Sequence, residues 1–223
     1  MHYVFQFGIV RDHLDVLVEG ALATLWMSSL AMVFGLTIGV SCAYFRKAGP
    51  RPIRLFVAAY VEFFRNTPLL VQLFIIYFSL PAIGLRFDAE TAAVLGLSIN
   101  LGAYATEIVR SGIEAIPQGQ IEAGRALGLT RLQIFRLVIL FPALKIVYPA
   151  LASQFVILML GSSIVSAISA TELTAVTNSL QSTTFRAFEF YFVATGMYLT
   201  LATAVRLVLG GLYWLTFQRG RPA

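Results

Sequence analysis

The chain has 223 residues, of which 58% are hydrophobic and only 12% are charged, and its mean hydropathy is +0.81. This composition excludes an ordinary soluble domain and is typical of a protein that crosses a membrane several times. The net charge of +5 does not indicate nucleic-acid binding, because the charges cluster between apolar runs, as basic cytoplasmic loops of membrane proteins do.

The residue types needed for several kinds of site are missing. Cys42 is the only cysteine, which excludes an intramolecular disulfide and a cysteine-based metal cluster. His2 and His13 are too few and too close to the start for a histidine-based metal or catalytic site. The first 20 residues carry four charged side chains and no compact apolar core, so we expect no cleavable signal peptide.

Five apolar stretches predict five transmembrane helices in one domain that covers residues 1–223. Each stretch is long enough for a span of roughly 20 residues, and the five lie at approximately 17–45, 55–80, 90–113, 146–170 and 190–217. Eleven of the 16 Lys and Arg residues fall on one side of this arrangement and three on the other. The N-terminus is therefore predicted outside, with the C-terminus and the loop 114–145 in the cytoplasm.

The first two spans contain small residues and a break. Gly35 and Gly39 are spaced so that another helix could approach closely, although glycine is also common in generic spans. Thr67 and Pro68 predict a helix restart in the second stretch, with Thr67 as the cap and Pro68 in the first turn. Either one long tilted helix covers 53–80, or an interfacial helix that ends near Arg65 precedes a span at 66–85. We favour a long second span with a break near Pro68.

Polar residues within the third and fourth spans are candidates for a transport pathway. Asn100, Tyr104 and Glu107 share one face of a helix, and that face should contact protein or water because polar groups are costly in lipid. A simple helix–helix hydrogen bond is an equal alternative. Ser162 and Ser163 follow a glycine in mid-span, which indicates either close packing or a polar lining. No histidine or lysine within the spans could activate either serine, so we expect no enzyme activity.

Residues 120–145 predict a helix, a stop and a second helix between the third and fourth spans. Glu122 and Arg125 form a pair of opposite charge one helical turn apart, and Gly128 can adopt the positive φ that ends helices. Thr130 followed by Gln133 predicts a capping box.

The faces of this hairpin also follow from the spacing of its residues. Small side chains keep one side of the first helix bare, and apolar side chains share a face of the second; these sets are Ala123, Gly124 and Ala126, and Leu132, Phe135 and Ile139. Pro142 predicts an end or a bend. A bare hairpin with a basic rim is a plausible docking site for another protein. The chain has no GxxxxGK[ST] nucleotide-binding motif, so energy from ATP would have to arrive through another subunit.

The hairpin resembles the EAA motif of ABC importer permeases, E-A-A-x-x-x-G, through Glu122-Ala123-Gly124 and Gly128. Other stretches, in the same order, are similar to the polar-amino-acid subfamily: YVEFFRNTPLLVQLFIIYF, AYATEIVRSGIEAIPQGQIEAGRALG and the late SATEL region. The resemblance covers nearly the whole chain. It departs at Gly124, at Pro142, which lies one place later than usual, and at Ser162, where many members carry charged or amide groups.

The resemblance implies a multi-pass permease of the bacterial inner (cytoplasmic) membrane that imports polar amino acids. It implies three kinds of partner: two ATPase subunits that bind ATP and receive the EAA helices, a second permease, identical or paralogous, and an extracytoplasmic solute-binding protein. This chain would itself bind no cofactor. Glu122 would belong to the docking helix, Ala123 and Gly124 would permit close approach, and Gly128 would set the turn. Arg125 and Arg131 would be candidate rim contacts, with a solvated charged face as an equal alternative.

Two matters stay open from the sequence. The absence of a charge near Ser162 and Ser163 argues weakly against a cationic amino acid, but the sequence does not name the substrate. An ion-coupled secondary carrier of small polar solutes is the alternative function, although such carriers usually show paired repeats and intramembrane ionisable groups, and neither is clear here.

Overall fold

Residues 3–217 are described by a computed structural model, and all regular structure within them is helical. The nine helices of this part of the chain are α1 (Gly8–Arg11), α2 (Leu14–Ala48), α3 (Arg51–Arg65), α4 (Leu69–Ile83), α5 (Ala89–Glu114), α6 (Gln118–Ala126), α7 (Arg131–Ile168), α8 (Leu173–Thr184) and α9 (Ala187–Phe217).

The helices account for about five membrane crossings. Helices α2, α5, α7 and α9 are each long and apolar enough to span a membrane, and α3 with α4 forms a bent fifth candidate. The prediction of an all-α membrane protein with about five spans is confirmed. Helix α6 and the start of α7 form the predicted hairpin between the third and fourth spans.

Helices α2 and α5 make the most extensive contact in the described part of the fold, and glycines allow it. A Cβ placed on Gly39 would lie 2.5 Å from the Cβ of Ala105, and one placed on Gly35 would lie 2.7 Å from the Leu101 side chain. Because no other residue type fits at these distances, the structure favours the close approach over the generic span, the two alternatives that the spacing left open.

We expect Gly39→Leu to destabilise the protein by about 1–3 kcal/mol or more, because the added side chain meets backbone atoms of α5 and must push the helices apart. The thermal unfolding of the purified chain in detergent measures this effect. Gly211→Leu in α9 is the matched control, since no heavy atom in residues 3–217, apart from its chain neighbours and the nearby backbone of its own helix, lies within 4 Å of a Cβ placed there. Equal unfolding temperatures for the two variants would contradict this account of the α2–α5 contact.

The second predicted span is broken more sharply than expected. Helices α3 and α4 meet at an angle of 109°, so the predicted break near Pro68 is present, and α3 ends at Arg65 rather than continuing as a single helix across residues 53–80. We call residues 66–68, between the two helices, the elbow. Proline disfavours helical geometry at the residue before it, which explains why the chain turns here.

Thr67 does not cap α4, contrary to the prediction. Pro68 occupies the cap position in an extended conformation with no side-chain cap, and the hydroxyl of Thr67 donates to the carbonyl of Phe63. The side chain of Gln72 stabilises the elbow instead. Its amide donates to the carbonyls of Phe64 and Thr67 and to the Thr67 hydroxyl, at 2.8–3.1 Å.

The second helix of the hairpin and the fourth span are one continuous helix, α7. Pro142 was predicted to end or bend the helix, but it is the second residue of a helical stretch that runs to Gly161. A π-helical segment, Ile134–Leu140, precedes it. Pro142 therefore lies in the first turn of the α-helical stretch, where a residue without an amide is tolerated. The hairpin is thereby joined rigidly to a membrane-spanning helix.

Candidate functional site

The turn of the hairpin is a complete Schellman motif. Gly128 has φ of +74°, the left-handed conformation predicted for it. The amide of Leu129 donates to the carbonyl of Gly124 at 3.1 Å, and the amide of Gly128 donates to the carbonyl of Arg125 at 3.0 Å. These are the two hydrogen bonds that define the motif, so the end of α6 is fixed by its own backbone.

The start of α7 is fixed by the predicted capping box. The amide of Gln133 donates to the hydroxyl of Thr130 at 3.3 Å, and the amide of Thr130 donates to the side-chain oxygen of Gln133 at 2.8 Å. Both reciprocal bonds of a capping box are therefore present. Only Leu129 separates the cap from Gly128, so two helices are held at a defined angle by a turn with little freedom.

The face of α6 that carries small residues packs in part against the second helix of the hairpin. Gly124 is buried, and a Cβ placed on it would lie 3.3 Å from the Cγ1 of Ile134 and 3.6 Å from the Cγ2 of Val138. Ala123 is exposed. The resemblance implied that both residues permit close approach by a partner, whereas Gly124 faces the chain's own second helix and only Ala123 faces outward.

The outer surface of the hairpin is apolar with a basic rim. Leu127 is 79% exposed, Leu132 64% and Leu137 68%, and exposed arginines flank them at positions 125, 131 and 136. We call these six residues the hairpin surface. Glu122 is exposed, and among residues 3–217 it forms no ion pair with Arg125. Exposed apolar side chains rimmed by polar ones are typical of interaction sites.

Leu132 and Phe135, predicted to share the apolar face of the second helix, point outward rather than into the hairpin. Phe135 is 45% exposed, while the neighbouring Ile134 and Val138 pack against Gly124. The spacing of the apolar residues correctly indicated that they share a face of the helix. It did not indicate whether that face packs inside the hairpin or is exposed.

The polar face of α5 is largely satisfied by contacts with other helices. The side-chain amide of Asn100 donates to the side-chain oxygen of Gln72 at 3.0 Å, and the guanidinium carbon of Arg65 lies 5.5 Å from the centre of the Tyr104 ring. Asn100 and Tyr104 therefore contact residues that flank the elbow. Glu107 pairs with Arg46 and Arg110, which makes this face a helix–helix contact.

The two serines of the fourth span bond within their own helix. The hydroxyl of Ser162, which is fully buried, donates to the carbonyl of Met159 at 2.7 Å, and that of Ser163 donates to the carbonyl of Leu160 at 3.0 Å. Both begin a 3₁₀ segment that ends α7. Within residues 3–217, neither hydroxyl bonds to Asn100 or Tyr104. Gly161 beside them borders open space: apart from its chain neighbours and the nearby backbone of its own helix, no heavy atom of these residues lies within 4 Å of a Cβ placed there.

A buried carboxylate between α7 and α8 was not identified from the sequence. Glu172 is fully buried, caps α8 by accepting from the amide of Ala175 at 2.7 Å, and accepts from the hydroxyl of Tyr198 at 2.6 Å. Burial raises the pKa of this carboxyl above its ordinary value. Glutamate is not among the residue types that helix N-caps prefer, so the local sequence did not indicate this role.

Similarity to known proteins indicates the family to which the chain belongs. Residues 35–215 match the family of binding-protein-dependent transport system inner membrane components. The chain is 37% identical over 193 residues to a putative glutamine transport system permease protein GlnP of Rickettsia felis, covering 86% of this chain and 88% of that protein. It is 36% identical over 207 residues to the glutamine transport system permease protein GlnP of Escherichia coli K12, covering 92% and 94%.

Similarity to a solved structure supports the same family. A crystal structure of an amino acid ABC transporter with histidines has a TM-score of 0.89 to this chain at 35% identity, and the match covers 95% of this chain and 99% of that one. The helix count, the bare hairpin and these similarities agree: the chain belongs to the family of binding-protein-dependent transport system inner membrane components and is a permease subunit of an ABC importer rather than an enzyme.

Proposed function

We propose that this permease imports a polar amino acid, with glutamine as the first candidate, across the bacterial inner membrane. The relatives named for glutamine transport are aligned over most of this chain, and the amino acid transporter structure matches it almost throughout. The family favours the ATP-driven importer over the ion-coupled carrier. A second permease, identical or paralogous, completes the pathway, and an extracytoplasmic solute-binding protein delivers the substrate.

The observation that carries the coupling role is the hairpin surface, which is apolar, exposed and rimmed by arginines. We infer that it docks into a groove of the ATPase subunit, which binds the ATP. Glu122, Ala123 and Arg125 are available from outside, while Gly124 and Gly128 act by holding the shape of the hairpin. Because α6 is fastened to α7 and α7 is continuous with the fourth span, movement of the ATPase would be passed on to the pathway.

The orientation of the chain in the membrane follows from the proposed coupling role of the hairpin. We propose that the hairpin lies in the cytoplasm and the N-terminus outside, which agrees with the excess of Lys and Arg on the hairpin side. The basic tail, Arg219 and Arg221, contributes to that excess but lies outside the described residues.

For the pathway, Ser163 and the open space at Gly161 are the better candidates in this chain. Asn100 and Tyr104 are already engaged by Gln72 and Arg65, so they would contact the substrate only after the elbow rearranges. Ser162 is buried and bonded to backbone, which favours a packing role. Uncharged hydroxyl and backbone groups suit a neutral polar substrate.

We expect the double variant Leu127→Glu/Leu132→Glu to reduce recovery of the ATPase with the permease by about tenfold or more, because loss of an apolar anchor at the core of an interface costs about 2 kcal/mol. Co-purification from membranes that contain both subunits measures this. Leu85→Glu is the matched control: it lies in the loop between α4 and α5 and is 51% exposed. Undiminished recovery of the ATPase with the double variant would overturn the docking role.

Uptake of labelled glutamine into proteoliposomes tests the transport function, with the ATPase and solute-binding protein present and ATP inside. We expect uptake that stops when ATP is omitted, and competition by other polar amino acids identifies the preferred substrate. Uptake that survives the omission of ATP would instead favour the ion-coupled carrier.

A further inference from the structure

A basic cavity lies at the hairpin end of the bundle, where the C-terminal ends of α2 and α5 meet the N-terminal end of α3. Its volume is about 610 Å³, and its lining residues are Arg46, Lys47, Arg51, Arg54, Leu55, Ala58, Arg110 and Glu114. We call it the basic cavity. Five of these eight side chains are cationic, and one is anionic.

The charges in the basic cavity are only partly neutralised. Arg46 pairs with Glu107, and Arg110 pairs with Glu107 and Glu114. Within residues 3–217, Lys47, Arg51 and Arg54 form no ion pair. Three like charges around one cavity repel one another, so an anion bound among them would be stabilised by all three.

The backbone adds to the positive potential. Helix α3 has 15 residues, and its first turn is preceded by Pro50, which provides no side-chain cap. Pro52, the second residue of α3, has no amide either, so the first turn offers the amides of Arg51 and Ile53. Free amides at the start of a helix, together with the helix dipole, attract anions, phosphate in particular. Arg51 and Arg54 lie in this first turn, so side-chain and backbone charges converge on the same volume.

The wall of the basic cavity is apolar on one side. Leu55 lines it and is 63% exposed, and Phe56 beside it on α3 is 76% exposed. A free inorganic anion would gain nothing from these side chains. An amphiphile that carries a phosphate at one end and hydrocarbon at the other would satisfy both parts of the site.

We propose that the basic cavity binds the phosphate headgroup of an anionic phospholipid, with the acyl chains lying along Leu55 and Phe56. Basic pockets between transmembrane helices bind lipid headgroups of this kind. The bound lipid would hold together the ends of α2, α3 and α5 close to the point where the hairpin leaves α5.

Titration of phosphatidylglycerol into the purified full-length chain in detergent, followed by native mass spectrometry, tests this. We expect the triple variant Lys47→Gln/Arg51→Gln/Arg54→Gln to bind phosphatidylglycerol about tenfold more weakly or worse, because each basic residue near the surface contributes to the attraction of anionic lipid. Arg46 and Arg110 are left unchanged because their ion pairs join α2 to α5. The matched control is Arg125→Gln/Arg131→Gln/Arg136→Gln, which removes the same charge from the hairpin.

Three outcomes would overturn the proposal. Equal weakening by both triple variants would mean general surface attraction, and equal binding of phosphatidylcholine would mean that the phosphate charge is not recognised among the cations. Displacement of the lipid by inorganic phosphate at millimolar concentration would mean a free-anion site. The thermal unfolding temperature supplies a second readout: phosphatidylglycerol should raise it for the wild type and the control but not for the test variant.

Discussion

Gly128→Val is expected to abolish ATP-driven uptake while the protein remains in the membrane. At φ of +74° a residue with a side chain costs about 1–2 kcal/mol, and a β-branched one costs more. The chain would relieve this strain by leaving the left-handed conformation, which breaks the bonds to the carbonyls of Gly124 and Arg125. Without them α6 loses its fixed angle to α7. Uptake into proteoliposomes and co-purification of the ATPase measure the loss.

Two further variants separate backbone conformation from other causes. Gly128→Asn should keep much of the activity, because asparagine tolerates the left-handed region better than other residues with side chains. Gly84→Val has a similar positive φ, +89°, but lies in the loop between α4 and α5, so it should leave ATPase binding unchanged. Equal loss of ATPase binding in Gly84→Val and Gly128→Val would show that general strain, not the shape of the hairpin, is responsible.

The parts of the hairpin that the sequence predicted correctly are those set by local hydrogen bonds. The left-handed residue at Gly128 and the capping box of Thr130 and Gln133 depend on residues within four or five positions of one another. Such motifs need no information about the rest of the fold, so one sequence is enough to identify them.

Features set by contacts between distant helices were harder to predict. The proline at the elbow indicated a break, but the 109° bend depends on Gln72, which bonds residues of α3 and Asn100 of α5. Pro142 was misjudged for a local reason: it lies in the first turn of a helical stretch that directly follows a π-helical segment, which the sequence did not indicate. Glu172 was passed over because its partner, Tyr198, is 26 residues away along the chain.

The polar face of α5 illustrates a choice that the sequence alone left open. Asn100 and Tyr104 were predicted to face protein or water, with a transport role and a helix–helix contact as equal alternatives. Their contacts with Gln72 and Arg65 favour the second. A polar residue in a span must have a partner in either case, so its polarity alone does not indicate which partner it has.

The second large effect is expected from Gly124→Leu, which should open the hairpin and prevent ATPase binding. A Cβ at this position already lies 3.3 Å from Ile134 and 3.6 Å from Val138, so the rest of a leucine side chain has no room unless α6 moves away from α7. Gly124→Ala should be tolerated, because a shift of a few tenths of an ångström by Ile134 accommodates one methyl group. Recovery of the ATPase with the permease and ATP-dependent uptake should both fall steeply for leucine only.

A compensating change distinguishes crowding inside the hairpin from a lost contact with the ATPase. Ile134→Ala combined with Gly124→Leu restores the total volume between the helices and should recover a large part of the binding, since volume-conserving changes are tolerated best. Gly119→Leu in the same helix controls for the added side chain. Apart from its chain neighbours and the nearby backbone of α6, no heavy atom of residues 3–217 lies within 4 Å of a Cβ placed at Gly119. If the double variant binds no better than Gly124→Leu, the glycine must act directly on the partner, and the division between a packed inner face and a docking outer face is wrong.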